Sequence, residues 1–367
     1  MKKLLLSSVA VLGLAVAAPA FAQDDSALKL DLGGHYKGYA SLVDQDEAAG
    51  TDVNTVDWLQ ETELHFQGET TLDNGLTVGA HIEAEVDGGD NAAIDESYAY
   101  FSGAWGRINA GDEDGSAYLL QVAAPSADSN VDGIRQFVTG INSTAAGIAT
   151  PVDGLDYDND IANDANKLTY LTPVLNGFQA GVSYTPDVNG VGVDANGNPT
   201  GNQTRSLGGN GITNANEGFG AAYEGAVRYE GAFNNVGFIA GAGYTMAEDD
   251  RTGAGTDNFE EWNVGLDLDI GAFGLGAVYT ENNNGLDGAG DNNDTIVVGA
   301  DYTTGPFKLG ASWLNNDNDL NADDIDRYTG GVVYTYGPGM SFRGSVSYVD
   351  QDDVDGTNVL LGTQVNF

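Results

Sequence analysis

Apolar residues recur at every second position through most of the chain from residue 28 to residue 367, and this rhythm limits the fold more than any other feature. Successive side chains on a strand point to opposite faces, so a period of two means strands with one greasy and one polar side. The last ten residues state it most plainly. Val359, Leu361, Thr363, Val365 and Phe367 fall on one face, and Asn358, Leu360, Gly362, Gln364 and Asn366 on the other. A strand offering such a face and a free edge to water invites aggregation. In a membrane barrel the same strand pairs on both sides, turns its apolar face to lipid and closes the sheet.

Sixteen segments carry this pattern. The first five are Leu28–Leu42, Trp58–Leu72, Leu76–Val86, Asp95–Gly103 and Arg107–Glu113. Two more, Asn166–Thr172 and Phe178–Thr185, follow a stretch of about 50 residues without sustained alternation. Eight begin near Phe219, Val236, Trp262, Phe273, Ile296, Phe307, Tyr328 and Met340, and the terminal strand completes the set. No apolar-face position named in this pattern is charged, as a lipid face requires, since a charge at mid-bilayer costs ~2–4 kcal/mol. Short turns such as Asp73–Gly75, Gly103–Gly106 and Gly337–Gly339 alternate with long acidic connections such as Asp44–Asp57 and Asn315–Asp326. Asn74-Gly75 is a tight hairpin signal. The expectation is an all-β fold: a transmembrane antiparallel β-barrel of 16 strands. The region from about 114 to 165 is a long loop, with a short helix expected near Ala117 to Val122, and 186 to 217 is a second loop rich in Gly, Asn and Thr.

The N-terminus sets the compartment. Lys2 and Lys3, an apolar run from Leu4 to Ala18 and Ala20-Phe21-Ala22 make a secretory signal peptide over residues 1–22, leaving a single barrel domain over 23–367. Cysteine is absent, so this exported chain relies on backbone pairing and packing. The 13 basic residues less Lys2 and Lys3 leave 11 against 55 acidic, a formal charge of −44. That excludes nucleic acid as a partner and points to cation attraction or divalent-metal binding in acidic loops.

The chain resembles the Gram-negative general porins of α-proteobacterial type. The resemblance spans the whole mature chain and is carried by Ser97 to Gly111, by the hairpin Gly68 to Thr77, and by the terminal Val365-Asn366-Phe367. It implies a trimeric sixteen-stranded barrel with its long third loop folded into the lumen. It also implies surroundings of outer-membrane lipid and lipopolysaccharide, and a Phe367 read by the barrel-assembly machinery. One departure matters: Asp112 and Glu113 stand where the family often carries Arg and Gln.

The function expected is an outer-membrane diffusion channel passing ions and small hydrophilic solutes, with cation preference. Acids of the inward loop, Asp112, Glu113, Asp114, Asp128 and Asp132, are expected to line one side of a constriction. Lys37, Arg228, Lys308, Arg327 and Arg343 on the polar strand faces are expected to line the opposing wall. A substrate-selective channel is the first alternative, and a secreted acidic Ca²⁺-binding β-protein or adhesin the second. No nucleophile elbow, phosphate loop or cysteine is present, so no enzymatic constellation emerges. No cofactor is required; loose Ca²⁺ binding by acidic loops is the one ion expected. His35, His65 and His81 share no metal-ligand spacing and read as polar lumen residues.

Overall fold

The computed structural model describes residues 28–86, 93–125, 139–147, 157–188, 218–251, 255–288, 292–320, 324–351 and 354–367. The leader, Asp128, Asp132 and nearly all of the 186–217 connection lie outside the described residues.

The alternating segments form β1 (Lys29–Gln45), β2 (Val56–Thr71), β3 (Thr77–Glu85), β4 (Ala93–Gly103), β5 (Gly106–Asp112), β6 (Asn166–Leu171), β7 (Phe178–Thr185) and β8 (Phe219–Phe233). They continue as β9 (Val236–Asp249), β10 (Phe259–Ile270), β11 (Phe273–Asn282), β12 (Asn293–Thr304), β13 (Phe307–Asn318), β14 (Ile325–Gly337), β15 (Met340–Gln351) and β16 (Val354–Asn366). Each strand pairs antiparallel with its neighbours in sequence, and β1 pairs β16, so the sheet is a closed barrel. The closing seam runs from His35↔Asn366 to Gln45↔Gly356. The Phe367 N–H donates to the Gly34 carbonyl and the Gly34 N–H to the Phe367 carbonyl, both at 3.0 Å, so the last residue is itself part of the seam. Closure leaves no unpaired edge.

Alternation separates two solvents. On β14, Arg327 is 1% exposed and Tyr328 50%; on β16, Leu360 is 1% and Leu361 59%. Outward positions carry Trp58, Phe66, Val264, Leu266, Val298 and Phe342, all surface-exposed. The strands extend beyond the apolar rhythm at their long-loop ends. β1 reaches Gln45 and β2 starts at Val56, because backbone pairing continues where side chains no longer face lipid. Only Gly75 of the Asn74-Gly75 pair takes a positive φ, so this connection is a Gly-terminated turn. Two left-handed residues in succession turn the β6–β7 connection, at Asn176 and Gly177, and the β8–β9 hairpin, at Asn234 and Asn235.

The inner face is not uniformly polar. Val278, Val297, Leu314, Ile325 and Val349 point inward from β11 to β15 and are buried. They pack in one cluster with Tyr118, Ala124, Ile141, Ala146 and Tyr157 of the third loop. Each such side chain contributes about 1.5–3 kcal/mol on burial, so the barrel holds this loop by a small core of its own.

Candidate functional site

The third loop leaves β5 at Asp112, and its described parts stay inside the barrel. Lys167 fastens the neck, its Nζ donating to the carbonyls of Glu113 and Asn163. Next comes the helix α1 (Ser116–Leu119), which packs against β6 to β9. The Ser116 N–H donates to Ser183 Oγ at 2.7 Å, and the Ala117 N–H to Glu224 Oε2 at 3.0 Å. Arg228 donates to the Gln121 carbonyl at 2.8 Å and to Glu230 Oε1 at 2.8 Å. The outgoing and returning limbs are stitched together. Gln121 Nε2 donates to the Tyr157 carbonyl at 2.6 Å, the Asn159 N–H to Gln121 Oε1 at 2.9 Å, and the Ala124 N–H to the Tyr157 hydroxyl at 3.1 Å.

A middle portion of the loop sits on the barrel seam. The Gly140 N–H donates to Asn358 Oδ1 at 3.1 Å, and the Asn142 N–H to Gln45 Oε1 at 2.8 Å. Asn142 also caps the one-turn helix α2 (Ser143–Ala146). The described loop therefore lies against the inner wall from β6 round to β15 and meets β16 and β1. The inner faces of β2 to β4 stay largely clear of it and look onto the bore.

That uncovered wall is dense with ionisable groups. Lys37 Nζ lies 2.9 Å from Glu61 Oε1, and His35 Nε2 lies 2.7 Å from the same oxygen. Glu63, His65, His81 and Glu83 follow on β2 and β3, with the His35–His65 and His65–His81 ring centroids 6.1 Å and 5.8 Å apart. These side chains keep 14% to 27% of their area exposed, enough to meet water in the bore. Tyr98 continues the row on β4, its ring 5.3 Å from His81.

The described acids expected at a constriction sit under the loop. Asp112 and Glu113 are buried at the end of β5. Glu113 Oε1 accepts from Asn109 Nδ2 at 2.6 Å, yet burial holds its carboxyl up at about 7 against Arg107, Asn109 and Lys167, which favour the charged form. Asp114 is raised well above the ordinary range, first by burial and then by Asp160, Glu96 and Asp164. Asp160 is raised as well, by burial together with Asp158 and Asp164, although Lys167 opposes this. These carboxyls form the packed neck of the loop.

The five bases do not form one file. Arg228 lies beneath the loop as its anchor, not across from it, because β8 belongs to the covered wall. Lys37 stands midway along β1. Lys308, 3.1 Å from Asp301, and Arg343, whose Nε donates to Ser341 Oγ at 3.3 Å, lie near the short-turn rim. Arg327 is fully buried near the opposite rim. Sequence reasoning missed the anchors Lys167, Glu224 and Gln121. It also missed what the inward glycines do. A Cβ on Gly265 would lie 2.7 Å from Val122 Cβ, and one on Gly276 2.8 Å from Pro125 Cδ. A line of small residues on the polar face was the available signal that something lies against that wall.

The described fold aligns with solved porins. An anion-selective porin from Comamonas acidovorans matches with a TM-score of 0.64 and 16% identity over 93% of this chain and all of that one. A porin refined at 1.8 Å matches at 0.59, with 18% identity over 92% of this chain and all of that one. Among curated sequences, an uncharacterized protein of Rickettsia conorii is 26% identical over 219 residues, 52% of this chain and 50% of that protein. One of Rickettsia prowazekii is 23% identical over 332 residues, 77% of this chain and 75% of that protein. The chain thus spans about half the length of the first of these relatives. The family model described as Gram-negative porin matches residues 7–354, nearly the full length, and the chain accordingly belongs to the Gram-negative porin family, the barrels of the outer membrane.

Proposed function

We propose that this protein is a diffusion channel of the outer membrane, passing ions and small hydrophilic solutes through a water-filled bore with a preference for cations. It is a passive conduit and performs no chemistry on what passes. A barrel of this strand number leaves an aqueous lumen, and the charge at the free wall then selects. The observation that carries the cation preference is the uncovered wall itself. Glu61, Glu63 and Glu83 face the bore there, with Lys37 drawn onto Glu61. A concave wall on which carboxylates outnumber the one lysine concentrates cations next to it. The Comamonas acidovorans porin is anion-selective, but 16% identity carries the fold and not the wall charge. Assembly as a homotrimer, contact with lipopolysaccharide and recognition of Phe367 by the barrel-assembly machinery belong to the same proposal; the outward apolar face of β16 supports the last of these.

In planar bilayers under a KCl gradient, the reversal potential should have the sign of a cation-preferring pore. Glu61→Gln combined with Glu63→Gln should move it toward zero. The preference should weaken as salt rises, because the screening length falls from ~10 Å at 0.1 M to ~3 Å at 1 M. An anion-preferring wild-type potential would remove the cation reading.

A further inference from the structure

We propose that the inner wall of β2 and β3 holds a divalent transition-metal ion between His65, His81 and Glu83. Nothing in the spacing of these residues along the chain suggests it. Strand register creates it. His65 stands opposite Glu83 and Gln67 opposite His81, so the three residues are direct and diagonal neighbours on one face. Such neighbours lie within reach of one another's side chains.

The ligand atoms already converge. His65 Nδ1 lies 2.9 Å from Glu83 Oε1, and His81 Nε2 lies 2.5 Å from the same oxygen. One ligand atom from each residue falls within 4.8 Å of the others. With metal–ligand bonds of ~2.0–2.1 Å, tetrahedral geometry sets ligand atoms ~3.3 Å apart. An ion therefore needs two hydrogen bonds to open by less than ~1 Å, with no change of backbone. Two imidazoles and a carboxylate make three protein ligands, and the partly exposed side chains leave a fourth position to water from the bore.

The surroundings fit a metal-bound histidine. When Nδ1 of His65 takes the ion, Nε2 carries the proton, and it lies 3.2 Å from Glu63 Oε1. A carboxylate on the distal nitrogen fixes the ring and raises its basicity, the usual support of a metal-binding imidazole. His35, Glu63 and His65 also bring one ligand atom each within 4.8 Å of one another. His35 Nε2, however, is drawn to Glu61 Oε1 at 2.7 Å and stands 3.6 Å from Glu63 Oε2, looser than either contact of Glu83, so His35 extends the row without joining these three ligands. Two nitrogens and one oxygen favour Zn²⁺, Ni²⁺ or Cu²⁺ over Ca²⁺ and Mg²⁺, which take oxygen ligands. The acidic cluster Glu96, Asp114 and Asp164 lacks any imidazole and is not this site.

Calorimetry of the folded, detergent-solubilised protein with ZnCl₂ alone tests the assignment without any current being measured, so it stands or falls apart from the channel reading. One Zn²⁺ per chain should bind, and CaCl₂ in excess should not displace it. His81→Asn and Glu83→Gln should each weaken binding by at least about tenfold, and Glu63→Gln by about 10–100-fold. His35→Asn should leave it unchanged. Heat-modifiable migration on gels confirms that each variant is folded, and His65→Asn replaces any variant that is not. Absence of Zn²⁺ binding by the folded wild type overturns the site, as does loss of binding in His35→Asn with retention in His81→Asn.

Discussion

Replacing Val298 with arginine should cost the folded barrel about 2–4 kcal/mol in phospholipid vesicles. Val298 stands near the middle of β12, paired with Ala277 and Trp313, and its side chain is exposed on the outer face. Only hydrocarbon surrounds that position, and hydrocarbon cannot solvate a guanidinium. Arginine at Ser312 provides the contrast. Ser312 is one residue from outward Trp313 and shares the inner face with Lys308, where a cation is already accommodated beside Asp301. That change should stay within about 1 kcal/mol, as for substitutions outside packed or lipid-facing positions. Reversible urea unfolding, followed by tryptophan fluorescence, reads both. Equal costs at the two positions would mean that β12 and β13 do not separate lipid from water.

Gly299→Leu should detach the third loop from its wall while leaving the barrel closed. Gly299 does not take a positive φ, so its backbone conformation would accept a side chain. The space would not. A Cβ would lie 2.0 Å from the Pro125 carbonyl oxygen, a backbone atom that cannot swing aside. Overpacking of this kind costs about 1–3 kcal/mol, and the loop rather than the strand ladder has room to yield. Every 1.4 kcal/mol is tenfold, so amides over 115–125 should exchange with deuterium about fivefold to a hundredfold faster. Those of Ser116 and Ala117, which donate to Ser183 and Glu224, report most directly. Exchange in β14 to β16 should not change. Unaltered exchange over 115–125 would show that this glycine does not make room for the loop.

The strands were legible because lipid outside and water inside impose a period of two on nearly every one of them. Leu361, Tyr328 and Val298 announce the outer face by themselves. The interior was harder to read. Inward Val297, Leu314 and Val349 interrupt the polar rhythm, and only their contact with Tyr118, Ala124 and Ile141 explains them. The loop has no period of its own. Its path is written on its partners, in the glycines of β10 to β12 and in Arg228, whose charge alone suggested a role across the bore. His65 and His81 illustrate the same limit: register, not chain separation, brings them to one carboxylate.

The chain contains no cysteine, so single cysteines placed one at a time from Glu61 to Gln67 in the uncovered strand β2 can be read without interference. A cationic, membrane-impermeant thiol reagent should modify positions 61, 63, 65 and 67, which look into the bore, and spare 62, 64 and 66, which look into lipid. Modification of the even positions instead, or of all seven alike, would contradict a closed cylinder that is greasy outside and wet within.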